Sequence, residues 1–503
     1  MLRSIGIGCC FAVLAAMFVS LTATPLMLFV FFDFFRRPTK CDCLSAGAED
    51  VLTPALTRKE LYAMKYECML KSVWYRISVI TTEKPLLIFF LVIGAGVPLF
   101  IMVPKLEVCF DLFQQVPRNA EHLPAFKGIM DNFGSGQTSP YYFPIDSGVQ
   151  DGVCNDSFFE AMHDVIHTLS SVSGQPPELF QSIAIIPNPL AGGNLTKITW
   201  SGKGDPLGVG ASQLLNHSSP FYNVEYEALW NLAVTRNNQA SLIQLFTTFA
   251  PLGIDAKPFC DHMVPYVQTN MQNDTRYVYL GMAGGGSDQW AVMDEVMHWF
   301  PYQIISTFAV VFIFIAAAFR SIAVPIRMLF TVGYTVAFTF GAAVIIFQYT
   351  WLHGVWTALH GVHALFWLVP VMTFNVICSL ALDYDVFLLT RVIEYRRKGF
   401  TEVAALRKAV WKTGRIISFA GIIMLVAFFS LVLSGIMVMN QSGCMLGLAI
   451  ILDTFVIRTV LMPALMSLFP SYAFWPARMP LGYRDLEDMG EDAARVQRSG
   501  RYV

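Results

Sequence analysis

Residues 365–390 read LFWLVPVMTFNVICSLALDYDVFLLT. The stretch is mostly apolar and long enough to cross a bilayer, whose hydrocarbon core takes about 20 such residues as a helix. Yet it carries Asn375, Ser379, Asp383, Tyr384 and Asp385, with the acids in the half nearer the cytosol. A carboxylate at the centre of a spanning helix costs about 2.5–3.5 kcal/mol on insertion scales, so its presence points to a function or a partner. At 3.6 residues per turn, Asn375, Ser379 and Asp383 form one polar stripe, and Asp385 lies about 200° round from Asp383 on another face. A carboxyl so placed can exchange a proton with a water path, and Tyr384 offers a hydroxyl to a carboxylate on a neighbouring helix. Asp383 and Tyr384 therefore read as a proton relay, with Ser379 and Asn375 lining its cavity. Asp385, nearer Arg391, reads as an interface carboxylate.

The whole chain is of the same character. Of its 503 residues 55% are hydrophobic and only 14% charged, against about 25% charged in soluble domains. Mean hydropathy is +0.52. A net charge of −2 supplies no basic excess for phosphates, so nucleic acid is not an expected partner. The 10 cysteines are scattered, with no CxxC pair or Cys/His cluster at metal-ligand spacing.

Seven stretches qualify as spans: Ile5–Phe32, Pro85–Val103, Tyr302–Phe319, Ile322–Phe347, Leu365–Thr390, Ile416–Leu433 and Cys444–Met466. The first is too long for a signal-peptide core and reads as a retained helix. Nine Lys/Arg between Asp33 and Lys84 and eight between Arg391 and Arg415 mark the cytosolic side, whereas 349–363 has none. The resulting organisation is a spanning helix in 1–34, a cytosolic linker in 35–83, a helix in 84–104, an exterior α+β domain in 105–298, a five-helix bundle in 299–469 and a cytosolic tail in 470–503.

The exterior domain has ordinary soluble composition. Ser157–Leu169 repeats Phe158, Met162, Val165, Ile166 and Leu169 at helical spacing, and Val224–Phe246 reads as a second long helix. Tyr277–Leu280 reads as a strand that leaves through the turn Gly284–Gly286. Sequons at Asn155, Asn194, Asn216 and Asn273 all fall in this domain and make it a glycosylation candidate on a eukaryotic secretory route, in the plasma membrane or an endomembrane. Asn440 heads a fifth, too close to the membrane for modification. On the same oxidising side, Cys154 and Cys260 are the most plausible disulfide, with Cys109 left single.

A second acid lies in the last span, where Asp453 is followed by Arg458. Five residues put them about 140° apart on an α-helix, so each is expected to pair with another helix as a packing salt bridge. His353, His360 and His363 cluster in one loop without further ligands and read as interface histidines. No metal, cofactor or catalytic constellation is expected, and the chain does not read as an enzyme. Thr401–Lys412 is basic and amphipathic and reads as a helix along the inner headgroups.

These residues resemble a known family. The motifs are Phe319-Arg320-Ser321 with Pro325, Leu382-Asp383-Tyr384-Asp385, Thr390-Arg391 with Glu394, Thr413-Gly414-Arg415 with Gly421, Gly447-Leu448-Ala449, Asp453-Thr454-Phe455-Val456-Ile457-Arg458, and Pro463-Ala464-Leu465. In this order they resemble the C-terminal portion of transporters of the mycobacterial membrane protein large (MMPL) family, within the resistance-nodulation-division (RND) superfamily. Upstream, Phe133–Gly136, Gly284-Gly285 and Leu21–Leu26 resemble further family segments, the last of them in its sixth span.

The resemblance implies a ferredoxin-like porter domain outside the membrane and proton-driven movement of lipids or other hydrophobic molecules. It implies that Asp383 and Tyr384 are the tenth-helix pair that meets a matching pair on the fourth helix. Because the chain resembles only about the last seven of twelve spans, a missing N-terminal half or a partner subunit is expected to complete it. Two other readings stay open: a sterol-sensing, receptor-like relative that binds lipid without pumping, and a transport-dead scaffold. Membrane lipids and protons are expected partners in the leading reading.

Overall fold

The computed structural model describes residues 69–476, apart from 188–194, 204–207, 254, 273, 350–361, 363, 469 and 471–473, together with Ala15, Phe18 and Thr22. Apart from those three residues of the predicted first span, that span, the linker before residue 69, the tail beyond residue 476, Asn194, Asn273 and His353, His360 and His363 lie outside the described residues. The chain divides into two units. One joins Pro85–Phe387 to Ile417–Arg478, and the other contains the described residues 69–84 and Leu388–Ile416.

The smaller unit brings the two basic stretches together. Helix α1 (Val73–Glu83) exposes Thr82 to Arg407, whose Nε donates to its hydroxyl at 2.8 Å. Gly414 abuts the Trp74 ring so closely that a Cβ would overlap it. The hairpin after Arg397 turns at Gly399, with φ +88°, and Arg396 closes it through the Phe400 carbonyl at 3.0 Å and Glu402 at 3.3 Å.

In the larger unit, α2 (Pro85–Phe100) leads to a mixed module. Strand β1 (Tyr141–Asp146) alternates buried and half-buried residues, which fits a sheet covered on one face. It is followed by α4 (Asp156–Ser173), β2 (Phe180–Gln181), α5 (Val224–Ala233), β3 (Ala240–Leu245), α6 (Ala256–Asn270), β4 (Tyr279–Leu280) and β5 (Ala283–Gly284). Helix α3 (Leu123–Phe133) precedes β1. The sheet runs β2-β3-β1-β4, antiparallel throughout, with β5 also on β1. With α4 and α6 as its two main helices, this is the βαββαβ order of a ferredoxin-like unit.

Phe158, Met162, Val165, Ile166 and Leu169 of α4 are all buried in its core, as the spacing predicted, and they meet Phe143 and Ile243 there. The stretch 224–246 is not one helix. It is α5, a turn at Asn238 and then β3, because Ser241, Ile243 and Leu245 alternate into the core at strand period. Gly284, Gly285 and Gly286 all take positive φ, and the chain turns there into α7.

The expected bridge between Cys154 and Cys260 is not formed, and both are free thiols. Cys260 points from α6 into the core, where its sulfur lies 3.5 Å from the Tyr141 hydroxyl, whereas Cys154 sits half-buried in the loop before α4. Asn155 and Asn216 are each engaged locally, accepting the backbone N–H of Ser157 at 3.2 Å and of Ser218 at 3.0 Å.

Five described segments are long and apolar enough to span a membrane: Pro85–Lys105, Ser287–Phe319, Ala323–Gln348, Glu402–Leu433 and Met437–Leu468. The chain is a multi-pass helical membrane protein. The helices are α7 (Ser287–Phe319), α8 (Ala323–Ala343), α9 (Leu368–Arg397), α10 (Glu402–Phe429) and α11 (Met437–Ile451), the last continuing as a π-helix over Leu452–Leu461 and an α-helix over Met462–Leu468. Helix α9, with Asp383 and Asp385 in its length, is not one of these five segments. Exposed Ile305, Val310, Ile313 and Phe314 on α7 and Phe419, Ile423 and Val426 on α10 give these helices the apolar surface that lipid demands.

Two boundaries differ from the expectation. Helix α7 begins 15 residues before Tyr302, directly at the glycine turn, so the module's edge at 298 falls inside a helix. The amphipathic 401–412 stretch is no separate surface helix, because α10 runs unbroken from Glu402 into the span. Close packing holds α2 against α8. The Tyr334 hydroxyl donates to the Val92 carbonyl at 2.7 Å, and Gly341 faces the Leu99 carbonyl with no room for a Cβ.

Candidate functional site

The site is assembled from α8, α9 and the π-helical end of α11. In a π-helix each amide bonds five residues back, so residues five apart stack on one side. Asp453 and Arg458 therefore meet within one helix, contrary to the separation expected on an α-helix. Arg458 Nε donates to Asp453 Oδ2 at 2.8 Å, and Nη2 makes a second, shorter bond to the same oxygen.

The guanidinium reaches α9 as well. Nη2 donates to the Ala381 carbonyl at 2.9 Å, and the charge lies over the Tyr384 ring, 4.4 Å from its centroid, at cation–π distance. Nη1 faces Asp385 Oδ1 at 3.9 Å, an ion pair beyond hydrogen-bond reach. Asp385 is 1% exposed, so it is no interface carboxylate: the face of α9 that bears it packs inside the bundle. Its other oxygen accepts from Thr331 Oγ1 on α8 at 3.4 Å. Arg327, one turn earlier on α8, acts electrostatically on the same carboxylate.

Two carboxylates and two guanidiniums thus share one buried locus. They are only partly satisfied, since Asp385 Oδ1, Arg458 Nη1, Thr454 Oγ1 and Arg327 Nε and Nη2 have no hydrogen-bond partner. Such a locus can change its charge balance by one proton on a carboxyl and then repack. A narrow cleft lined by Thr335, Leu380, Tyr384, Asp453 and Thr454 reaches it.

Asp383 stands elsewhere. It is exposed, as are Ser379 and Asn375, so the polar stripe lies along the outer surface of the described bundle. The opposite face of α9, with Ile377, Cys378 and Ala381, is the one α8 and α11 cover. Asn375 is held by α7, accepting from Gln303 Nε2 at 3.1 Å. Tyr384 is half-buried between the two faces, its hydroxyl donating to Met424 Sδ at 3.1 Å. Of the predicted residues, the structure brings together Tyr384, Asp385, Asp453 and Arg458. It adds Arg327 and Thr331, which the sequence reading passed over. Arg327 had a legible signal, a charge inside the stretch Ile322–Phe347.

Residues 291–484 match the model of the MMPL family, a region that holds every residue of this site. A "Probable transport protein MmpL10" from Mycobacterium leprae is 33% identical over 35% of this chain and 16% of its own length. The "Mycolic acid-containing lipids exporter MmpL11" of Mycolicibacterium smegmatis is 27% identical, and the "Heme uptake protein MmpL11" of Mycobacterium tuberculosis 28% identical, each over 37% of this chain and 19% of its own length. The matched region spans less than a fifth of each of these relatives. All three are bacterial, which removes the support for a eukaryotic secretory route and argues against glycosylation at Asn155, Asn194, Asn216 and Asn273.

Proposed function

We propose that this chain, a member of the MMPL family of the RND superfamily, contributes the C-terminal part of a proton-coupled transporter of lipids or other hydrophobic molecules. The single observation that carries the reading is Arg458 set between Asp453 and Asp385 inside a spanning bundle. Ionisable groups buried at membrane depth mark proton and ion pathways, and π-helical segments recur at functional sites. With all four groups ionised the locus is neutral. A proton on Asp385 removes its attraction for Arg458 and Arg327, which leaves Arg458 to Asp453 and frees α8 and α9 to shift. A change of protonation so becomes a change of helix packing, which is what alternating access requires.

Asp383 takes the role of the proton's port of entry. Its stripe with Ser379 and Asn375 is an unfavourable surface to leave in lipid, and a polar helix from an N-terminal half or a partner subunit would cover it. Tyr384 joins the stripe to the buried charges. The basic stretches support an exterior position for the α+β module, in the role of a porter domain. The names of the relatives support lipid or haem-like substrates.

The test is transport of a fluorescent lipid, driven by an imposed pH gradient, in vesicles from cells expressing the chain with its native membrane partners. D383N and D385N should each insert normally and lose gradient-driven transport. Normal coupling in both variants would sink the reading.

A further inference from the structure

A cavity of about 280 Å³ lies between α3, the turn Pro251–Gly253 and Ala364, near the lower bound of small-ligand sites. Its walls are largely apolar, with Phe113, Phe126, Met130 and Leu252, and its polar side chains are Cys109, Gln114, Thr138 and the carboxylates of Asp111 and Asp255. Among the described residues no Lys or Arg lines it. Lys127, close by, is engaged over the ring of Phe113 at 5.6 Å. The floor is built of fixed groups. Gln114 Nε2 donates to Cys109 Sγ at 3.3 Å, and fully buried Gln441 of α11 donates to Gln114 Oε1 at 3.1 Å while accepting the Phe366 N–H at 3.0 Å.

Asp111 is half-buried, and one of its oxygens accepts the Phe113 N–H at 2.9 Å. Burial pushes its carboxyl above the ordinary value, a penalty that a bound cation would offset. A largely apolar chamber whose ionic groups, among the described residues, are carboxylates matches one kind of ligand by charge and by size.

We propose that this cavity binds an amphiphile with a cationic, ammonium-type head and one short alkyl chain, the tail among Phe113, Phe126, Met130 and Leu252 and the head at Asp111. The proposal rests on the transport reading and gives it a substrate class. It is also a binding site in its own right, because Gln114 and Gln441 tie its floor to α11, the helix whose continuation carries Asp453 and Arg458.

The experiment measures binding without transport, so the two readings fail separately. The full chain in lipid nanodiscs is photolabelled with decylamine carrying a diazirine in its tail, and the adducts are mapped by mass spectrometry. Adducts are expected on peptides covering residues 109–130 and 250–255, suppressed by decyltrimethylammonium at about tenfold lower concentration than by decanoate. D111N keeps the acceptor that holds the Phe113 N–H and should weaken the cationic probe about tenfold while uncharged decanol competes as before. M130W, which fills the chamber, should remove labelling there altogether. Adducts confined to lipid-facing helices, decanoate competing as well as the cation, or an unchanged D111N would each overturn the proposal.

Discussion

Arg458 Nε donates to Asp453 Oδ2 at 2.8 Å along a helix on which five residues separate the two, and the same guanidinium stands 3.9 Å from Asp385 on another helix. A single cation therefore holds two buried acids of unequal satisfaction. Breaking a buried pair leaves an uncompensated charge, whereas replacing all its members with apolar groups is often neutral. R458M should lower stability by about 3–5 kcal/mol in thermal or SDS unfolding. The quadruple variant R327M/D385L/D453L/R458M, which removes Arg327 along with the charges it faces, should recover much of that loss and still show no gradient-driven transport. A quadruple variant as unstable as R458M would contradict an uncompensated charge as the source of the loss.

Asp383 and Asp385 should separate cleanly in stability. Asp383 is exposed, so D383N is expected to stay within about 0.5 kcal/mol of the parent. D385N, which disturbs a carboxylate faced by Arg458, Arg327 and Thr331, should cost more than 1 kcal/mol, roughly the value of a charged hydrogen bond. Equal effects in the same unfolding assay would contradict the burial difference between the two faces of α9.

At Gly341 the backbone of α2 approaches so closely that a Cβ would overlap the Leu99 carbonyl. G341A should lose about 1–3 kcal/mol by overpacking, as small-to-large changes do in close-packed interiors. Gly333, on the same helix, has open space where its Cβ would go, so G333A serves as the control and should be neutral or slightly stabilising.

The thiols of the α+β module should differ in reactivity. Burial, reinforced by Asp111, pushes the Cys109 thiol up to about 12, so at pH 8 the thiolate is on the order of one part in ten thousand. Cys154 is half-buried and free. Iodoacetamide at pH 8 should label Cys154 well before Cys109 or Cys260, and non-reducing peptide maps should lack a peptide joining Cys154 to Cys260. A linked peptide would refute the free-thiol state.

Arg276 grips Asp274 through Nε at 3.0 Å and Nη2 at 2.6 Å, and reaches Asp164 on α4 through Nη1 at 2.7 Å. The Arg276 hydrogen bonds hold the Asp274 carboxyl below its ordinary value of 3.8. A depressed folded-state value contributes stability above the unfolded-state value, and that contribution is lost as pH falls through the folded one. Acid unfolding followed by circular dichroism should therefore show a shallower loss below pH 4 in D274N than in the parent. Identical acid limbs would remove the pair from the balance.

The sequence by itself was enough to determine the membrane class, the apolar core of each described span and the helical face of α4, because hydropathy and the 3.6-residue period are local properties that neighbours do not alter. It also marked Asp383, Tyr384, Asp385, Asp453 and Arg458 as residues that a bilayer would otherwise reject. It misjudged 224–246, where both halves are apolar and the change from period 3.6 to period 2 is hidden behind a single turn. The tertiary structure alone decided which acid is buried. Asp383 and Asp385 differ by two residues, and only the packing of α8 and α11 on one face of α9 makes the first exposed and the second enclosed. The Asp453–Arg458 bond, likewise, depends on a local change of helix type. Five residues separate the two groups on an α-helix and bring them together on a π-helix such as Leu452–Leu461, because its wider turn places residues five apart on one side.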